Sequence, residues 1–148
     1  AVHALCAGQS VYIGQFVKSM RYNETKIEGI FDRMRIEQLG RGCFIGHDPE
    51  PADVGMAREG LARCRERALS GEYDLVILDE LTIALYYRLL TVDEVLDALR
   101  ARHPSVEVVV TGRYAPQELV DEADLVTEMR EIKHYYTQGV LSRDGIDR

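Results

Sequence analysis

The hydrophobic positions along the chain change period several times, and each change marks an element. Ala1 to Ala7 is rich in helix formers and stops at Gly8, a residue suited to the left-handed turn that closes a helix. Val11 to Phe16 follows as a short apolar run between turn residues, the pattern of a buried strand. The polar stretch Lys18 to Lys26 reads as a loop. A weak helical stretch is expected over Ile27 to Met34, then a short strand over Arg35 to Leu39. From Asp53 to Ser70 the apolar residues Val54, Ala57, Leu61, Cys64 and Ala68 recur at spacings of three and four, which places them on one helical face. Arg58, Arg63, Arg65, Glu66 and Arg67 fall largely elsewhere and read as a solvated surface. Leu75 to Leu78 is uninterrupted aliphatic sequence, as in a strand covered on both sides. A Thr91-x-x-Glu94 capping box opens a helix that starts at Val92 and runs to about Arg102, where His103-Pro104 closes it. Val106 to Thr111 makes the next strand, Pro116 begins a helix to Ala123, and Leu125 to Thr127 predicts one more short strand.

Strand and helix therefore alternate. That order predicts an α/β fold with a mostly parallel sheet, helices on both of its faces and right-handed crossovers. A helix that feeds a parallel strand is normally the second part of a strand-helix-strand unit, so a further strand is expected before Ala1. The 148 residues, 46% hydrophobic, suit a single domain spanning 1–148. No apolar run reaches the roughly 18 residues of a membrane span, and the start lacks the pattern of a secretory signal, so a cytoplasmic protein is expected. A net charge of −7 argues against a duplex nucleic acid as partner. Cys6, Cys43 and Cys64 are widely spaced and form no Cys-x-x-Cys pair, which favours structural thiols over a disulfide frame or a zinc site.

In open parallel sheets, ligands bind beyond the carboxyl ends of the strands. Three such places draw attention: Gln15-Phe16-Val17-Lys18, Asp79-Glu80 and Thr111-Gly112-Arg113. Asp79 and Glu80 offer hard carboxylate oxygens behind an aliphatic strand, the arrangement that holds Mg²⁺ against a triphosphate; a helix start would also favour acids there. Gly112 permits a tight turn and Arg113 can fork onto phosphate oxygens, although an Arg at this place serves equally well as a surface residue. Lys18 offers a point charge. His47 and Asp48 are adjacent in a Gly/Pro-rich loop, and His3, His103 and His134 add no metal-ligand spacing. Phe44 and Ile45, near glycines, could wall a flat macrocycle.

Together these stretches resemble the P-loop type of ATP:corrinoid adenosyltransferases, the cob(I)alamin adenosyltransferase family of cobalamin synthesis and salvage. The resemblance is strongest in Val76-Ile77-Leu78-Asp79-Glu80-Leu81-Thr82, Val109-Val110-Thr111-Gly112-Arg113 and Glu128-Met129-Arg130-x-x-Lys133-His134, with Gly139-Val140 and Gly145-Ile146-Asp147 closing the chain. Upstream, Ala4 to Gly8 and Val11 to Lys18 look like the second half of the family's first helix and its following strand. The family's N-terminal strand and its Gly-Lys-Thr-Thr phosphate loop do not occur in this sequence and are expected to precede Ala1. In the corrinoid-facing loop, where relatives often carry Phe-Thr-Trp, this chain has Cys43-Phe44-Ile45 and no Trp.

The resemblance implies a RecA-like nucleotide-binding fold, a homodimer, ATP with Mg²⁺ or Mn²⁺, and a reduced corrinoid such as cobalamin supplied through an electron donor. Co(I) would attack the 5' carbon of ATP and expel triphosphate, so no side-chain nucleophile is needed. Asp79 and Glu80 are then expected at the metal, with Glu80, Arg113 and Lys18 at the nucleotide and Phe44 and Ile45 at the corrinoid. Two other readings remain open from sequence: a RecA-like ATP hydrolase, and a non-catalytic corrinoid-binding or delivery domain.

Overall fold

The computed structural model describes residues 1–17, 23–40 and 49–146. Four strands form one fully parallel sheet in the order β2-β1-β3-β4, with β1 at Val11–Gln15, β2 at Met34–Gln38, β3 at Leu75–Asp79 and β4 at Glu107–Val110. In register, Val11 pairs with Met34 and with Leu75, and Leu75 pairs with Glu107. The carboxyl ends of the strands consequently lie side by side.

Alternation along each strand sends side chains to opposite faces. On one face Tyr12, Val76 and Leu78 join Leu61, Cys64 and Ala68 of α2 (Pro51–Ser70), Leu81 and Leu85 of α3 (Leu81–Tyr86), Val95 and Leu96 of α4 (Val92–Arg100) and Leu119 of α5 (Gln117–Glu122). On the other face Val11, Met34 and Ile36 pack with Leu5 of α1 (Val2–Cys6), flanked by Ile27 and Phe31. The expected α/β architecture, parallel with helices on both faces, is present.

Local chemistry explains most boundaries. Gly8 follows α1 at φ +80°. Pro51 occupies the first turn of α2, Asp53 accepts a 2.8 Å hydrogen bond from the Glu50 N–H, and Gly71 ends the helix at φ +70°. Thr91 and Glu94 form the predicted reciprocal cap of α4, at 3.2 Å and 2.8 Å. His103 is a satisfied structural residue: its N–H donates to the Ala68 carbonyl and its Nδ1 lies 2.7 Å from the Ser105 hydroxyl. Burial pushes the Cys64 thiol up to about 12, so it stays protonated as a packing group; Cys6 is exposed and free.

Two expectations are corrected. Ile27 to Met34 is not a helix; a 3₁₀ segment lies earlier, at Asn23–Gly29, and Met34 already begins β2. Gly29 and the exposed Ile30 interrupt the apolar period that a longer helix would need. Leu125 to Thr127 is not a strand. Leu125 is 85% exposed, and a β-prone run without a paired neighbour has no ladder to join. The helix start that Asp79-Glu80 also suits is present: Glu80 is the N-cap of α3, a six-residue helix whose extent could not be read ahead because Leu81, Thr82, Ala84 and Leu85 are buried almost all round, which leaves no amphipathic period to detect.

Candidate functional site

Backbone strain marks the carboxyl edge of the sheet as a built feature. Val17 (φ +62°), Glu80 (φ +60°) and Tyr114 (φ +59°) are non-glycine residues in the left-handed region, and they follow the ends of β1, β3 and β4 respectively. Such conformations cost about 1–3 kcal/mol each and persist where the surroundings impose them. For the β-branched Val17 the departure is especially unfavourable.

At this edge the last residue of β3, Asp79, is held from two neighbouring strands. The Thr111 hydroxyl, just past β4, donates to Asp79 Oδ1 at 2.8 Å, and Gln15 Nε2, at the end of β1, lies 3.5 Å from Asp79 Oδ2. The same Gln15 amide group donates to Glu24 Oε1 at 3.2 Å, which brings a third carboxylate from the Asn23–Gly29 segment to this edge. Two carboxylates sharing one partner require the NH₂ side of the amide to face them. Thr111 also accepts the Glu80 N–H at 3.1 Å, so one hydroxyl bridges both acids of the Asp79-Glu80 pair.

Gln15 and Thr82 are 3% and 4% exposed, and Gln15 Oε1 and Thr82 Oγ1 have no hydrogen-bond partner among the described residues. Buried oxygens are seldom left unpaired; the hard oxygens that suit a divalent cation or its water shell at this edge are those of the Asp79 and Glu80 carboxylates. Among the described residues no three His, Cys, Asp or Glu side chains converge as a complete metal cage.

Gly112 (φ +139°) turns the chain after β4 and presents Arg113, which is exposed and makes no ion pair among the described residues. Its neighbour Tyr114 stacks on Tyr86 of α3 with ring centroids 4.5 Å apart. Asp79, Glu80 and Arg113 are thus brought to one edge. Lys18, Phe44, Ile45, His47 and Asp48 lie outside the described residues, as does Cys43. The described end of the chain leading into the 41–48 segment, Gly40, lines a small pocket with Phe16, Val17, Leu39, Ala57, Ala84, Leu89 and the carboxylate-bearing Asp53. In the tail, His134 Nδ1 accepts the Tyr136 N–H.

Sequence reading pointed to the Thr111-Gly112-Arg113 turn for its glycine and arginine and passed over the threonine. A hydroxyl directly after a parallel strand, opposite an acid that ends the neighbouring strand, was the available signal. Glu24 had none, because its approach depends on the path of residues between β1 and β2.

Comparison with known proteins gives this edge its context. The family described as ATP:corrinoid adenosyltransferase BtuR/CobO/CobP matches residues 1–147. The chain belongs to that family. A corrinoid adenosyltransferase of Sinorhizobium sp is 35% identical over 95% of this chain and 67% of its own length. That of Pseudomonas aeruginosa is 32% identical over 97% of this chain and 72% of its own. The corresponding protein of Escherichia coli strain K12 is 29% identical over 99% and 75%. The resemblance read from the strand-end motifs is therefore correct at the level of the family, and no helix among the described residues is long and apolar enough to cross a membrane.

Proposed function

We propose that this adenosyltransferase-family chain moves the 5'-deoxyadenosyl group of ATP to Co(I) of a corrinoid, releasing triphosphate. The observation that carries the reading is the Asp79-Thr111 hydrogen bond at 2.8 Å, which gathers the acid pair of β3 and the Arg113 turn of β4 at one edge in a member of this family. Atoms and electrons balance simply. Co(I) contributes the electron pair of the new cobalt-carbon bond, the C5'–O bond breaks, and the triphosphate leaves with that bond's pair. No protein nucleophile takes part.

The protein's task is then alignment and charge compensation. Asp79 and Glu80 would hold Mg²⁺ or Mn²⁺, which supplies positive charge beside the triphosphate. Arg113 extends from its glycine turn to the phosphate oxygens, with Glu80 and Lys18 further nucleotide contacts. Phe44 and Ile45 serve the corrinoid, excluding water and favouring cobalt without its lower ligand. The wider assignment comprises a P-loop, RecA-like nucleotide fold, a homodimer, an electron donor for cobalt and a cytoplasmic setting. Its support is the family resemblance together with the parallel sheet. The rival hydrolase and delivery readings lack support from the relatives, whose names specify adenosyl transfer.

Product analysis tests this. ATP consumed with reduced cobalamin should yield one triphosphate per alkylated corrinoid. Orthophosphate without alkylation would replace the reading with ATP hydrolysis.

A further inference from the structure

We infer that Thr111 is a positioning residue for the acid pair: its hydroxyl sets the orientation of the Asp79 carboxylate and fixes the Glu80 backbone, so that cation affinity depends on a side chain that need not touch the cation. The inference rests on the proposed role of Asp79 and deepens it.

Three observations converge. The hydroxyl hydrogen is spent on Asp79 Oδ1 at 2.8 Å, which leaves the oxygen's lone pairs to receive the Glu80 N–H at 3.1 Å. Glu80 sits at φ +60°, a conformation that an acidic residue does not favour unaided, and its N–H has this hydroxyl as partner. The backbone of Thr111 is itself anchored on both sides: its N–H donates to the Leu78 carbonyl at 3.1 Å, and its carbonyl faces the Thr82 N–H at 3.5 Å. Thr111 is thus fixed to the strand before the acids and to the helix after them. Gln15 approaches the opposite Asp79 oxygen only at 3.5 Å, so Thr111 holds this carboxylate more closely than Gln15 does. Two residues beyond, Arg113 leaves the same turn, which ties the acidic and basic halves of the edge to one short segment.

Hydrogen bonds to a charged acceptor are the strong ones, and an off-angle carboxylate coordinates poorly. Replacing the hydroxyl by a methyl group of similar volume should weaken cation binding without removing any ligand.

The test uses the protein with Mn²⁺ as spectroscopic probe in the presence of ATP. Free Mn²⁺ is read by electron paramagnetic resonance for the unmodified protein, Thr111→Val and Thr111→Ser. Thr111→Val should raise the Mn²⁺ dissociation constant about tenfold, equivalent to about 1.4 kcal/mol. Thr111→Ser, which keeps the hydroxyl, should stay within about twofold. In an Asp79→Asn background the valine change should add little. If Thr111→Val does not fold, Thr111→Ala takes its place. Unchanged Mn²⁺ affinity in the valine or alanine variant, or equal loss in the serine variant, overturns the inference, as does absence of any Mn²⁺ binding by the unmodified protein with ATP. Mn²⁺ affinities that follow the expected order in a protein that forms no adenosylcorrinoid would support the positioning role while removing the transferase reading.

Discussion

Gly112 lies against Thr82 so closely that a β-carbon on residue 112 would overlap the Thr82 hydroxyl oxygen. The contact joins the turn after β4 to the first turn of α3, the two segments that flank the Asp79-Glu80 pair. Gly112 also holds φ +139°, outside the range of residues with side chains. Gly112→Ala should therefore displace the Arg113 turn. We expect a loss of stability of about 1–3 kcal/mol in urea unfolding, together with a rise in KM for ATP. An unchanged KM in a folded variant would show that the turn does not serve the nucleotide.

A second glycine fixes the packing of α2 on the sheet. A β-carbon at Gly14, next to the end of β1, would stand 2.6 Å from Cys64 Sγ and 2.8 Å from Leu39 Cδ1. Gly14→Ala should destabilise the protein by about 1–3 kcal/mol through overpacking. Adding Cys64→Ala, which vacates the space, should recover part of that loss, so the double variant is more stable than the sum of the singles. Strict additivity in denaturant melts would contradict the contact.

How much of this was legible beforehand depended on whether a signal was local. The capping box at Thr91 and Glu94 and the aliphatic run of β3 are set by adjacent residues, and both emerged as read. That Asp79, Glu80 and Arg113 stand at or just past strand ends was legible because the aliphatic runs of β3 and β4 stop there. Thr111 and Thr82 act through partners about 30 positions away, Thr82 through its approach to Gly112 and Thr111, and Gln15 reaches Asp79 64 positions on as well as the nearer Glu24. Such pairings need the sheet order, which sequence periodicity does not supply. Leu125 to Thr127 failed for the converse reason, since β propensity is realised only against a neighbouring strand.

Arg113 and Phe44 should divide the two substrates. Arg113→Ala should raise KM for ATP by about tenfold, the loss expected when a charge-assisted contact to phosphate is removed, with little change in corrinoid affinity. Phe44→Ala should impair corrinoid turnover more than ATP binding. Steady-state kinetics with each substrate varied separately checks this, and equal loss of both properties in both variants would contradict it.

At the opposite edge of the sheet, the Asp74 carboxylate accepts the Ser10 N–H at 2.7 Å and lies 2.9 Å from the Ser10 hydroxyl, which holds its pKa below the usual aspartate range. With the folded pKa below the unfolded one, the unfolded chain takes up the proton first as pH falls. The contribution is present above the unfolded value and is lost as pH drops through the folded one. Asp74→Asn should lower Tm at pH 7, and the difference from the unmodified protein should narrow below about pH 4. A Tm difference independent of pH would assign the effect to hydrogen-bond geometry rather than charge.

The most direct measurement is an anaerobic one: the full-length protein, Mg²⁺-ATP and chemically reduced cobalamin, followed by the absorbance change as Co(I) becomes an alkylated cobalt. The account predicts adenosylcobalamin formed with stoichiometric triphosphate, and loss of that turnover in Asp79→Asn. Cobalamin bound without alkylation, or orthophosphate released in its place, would contradict it.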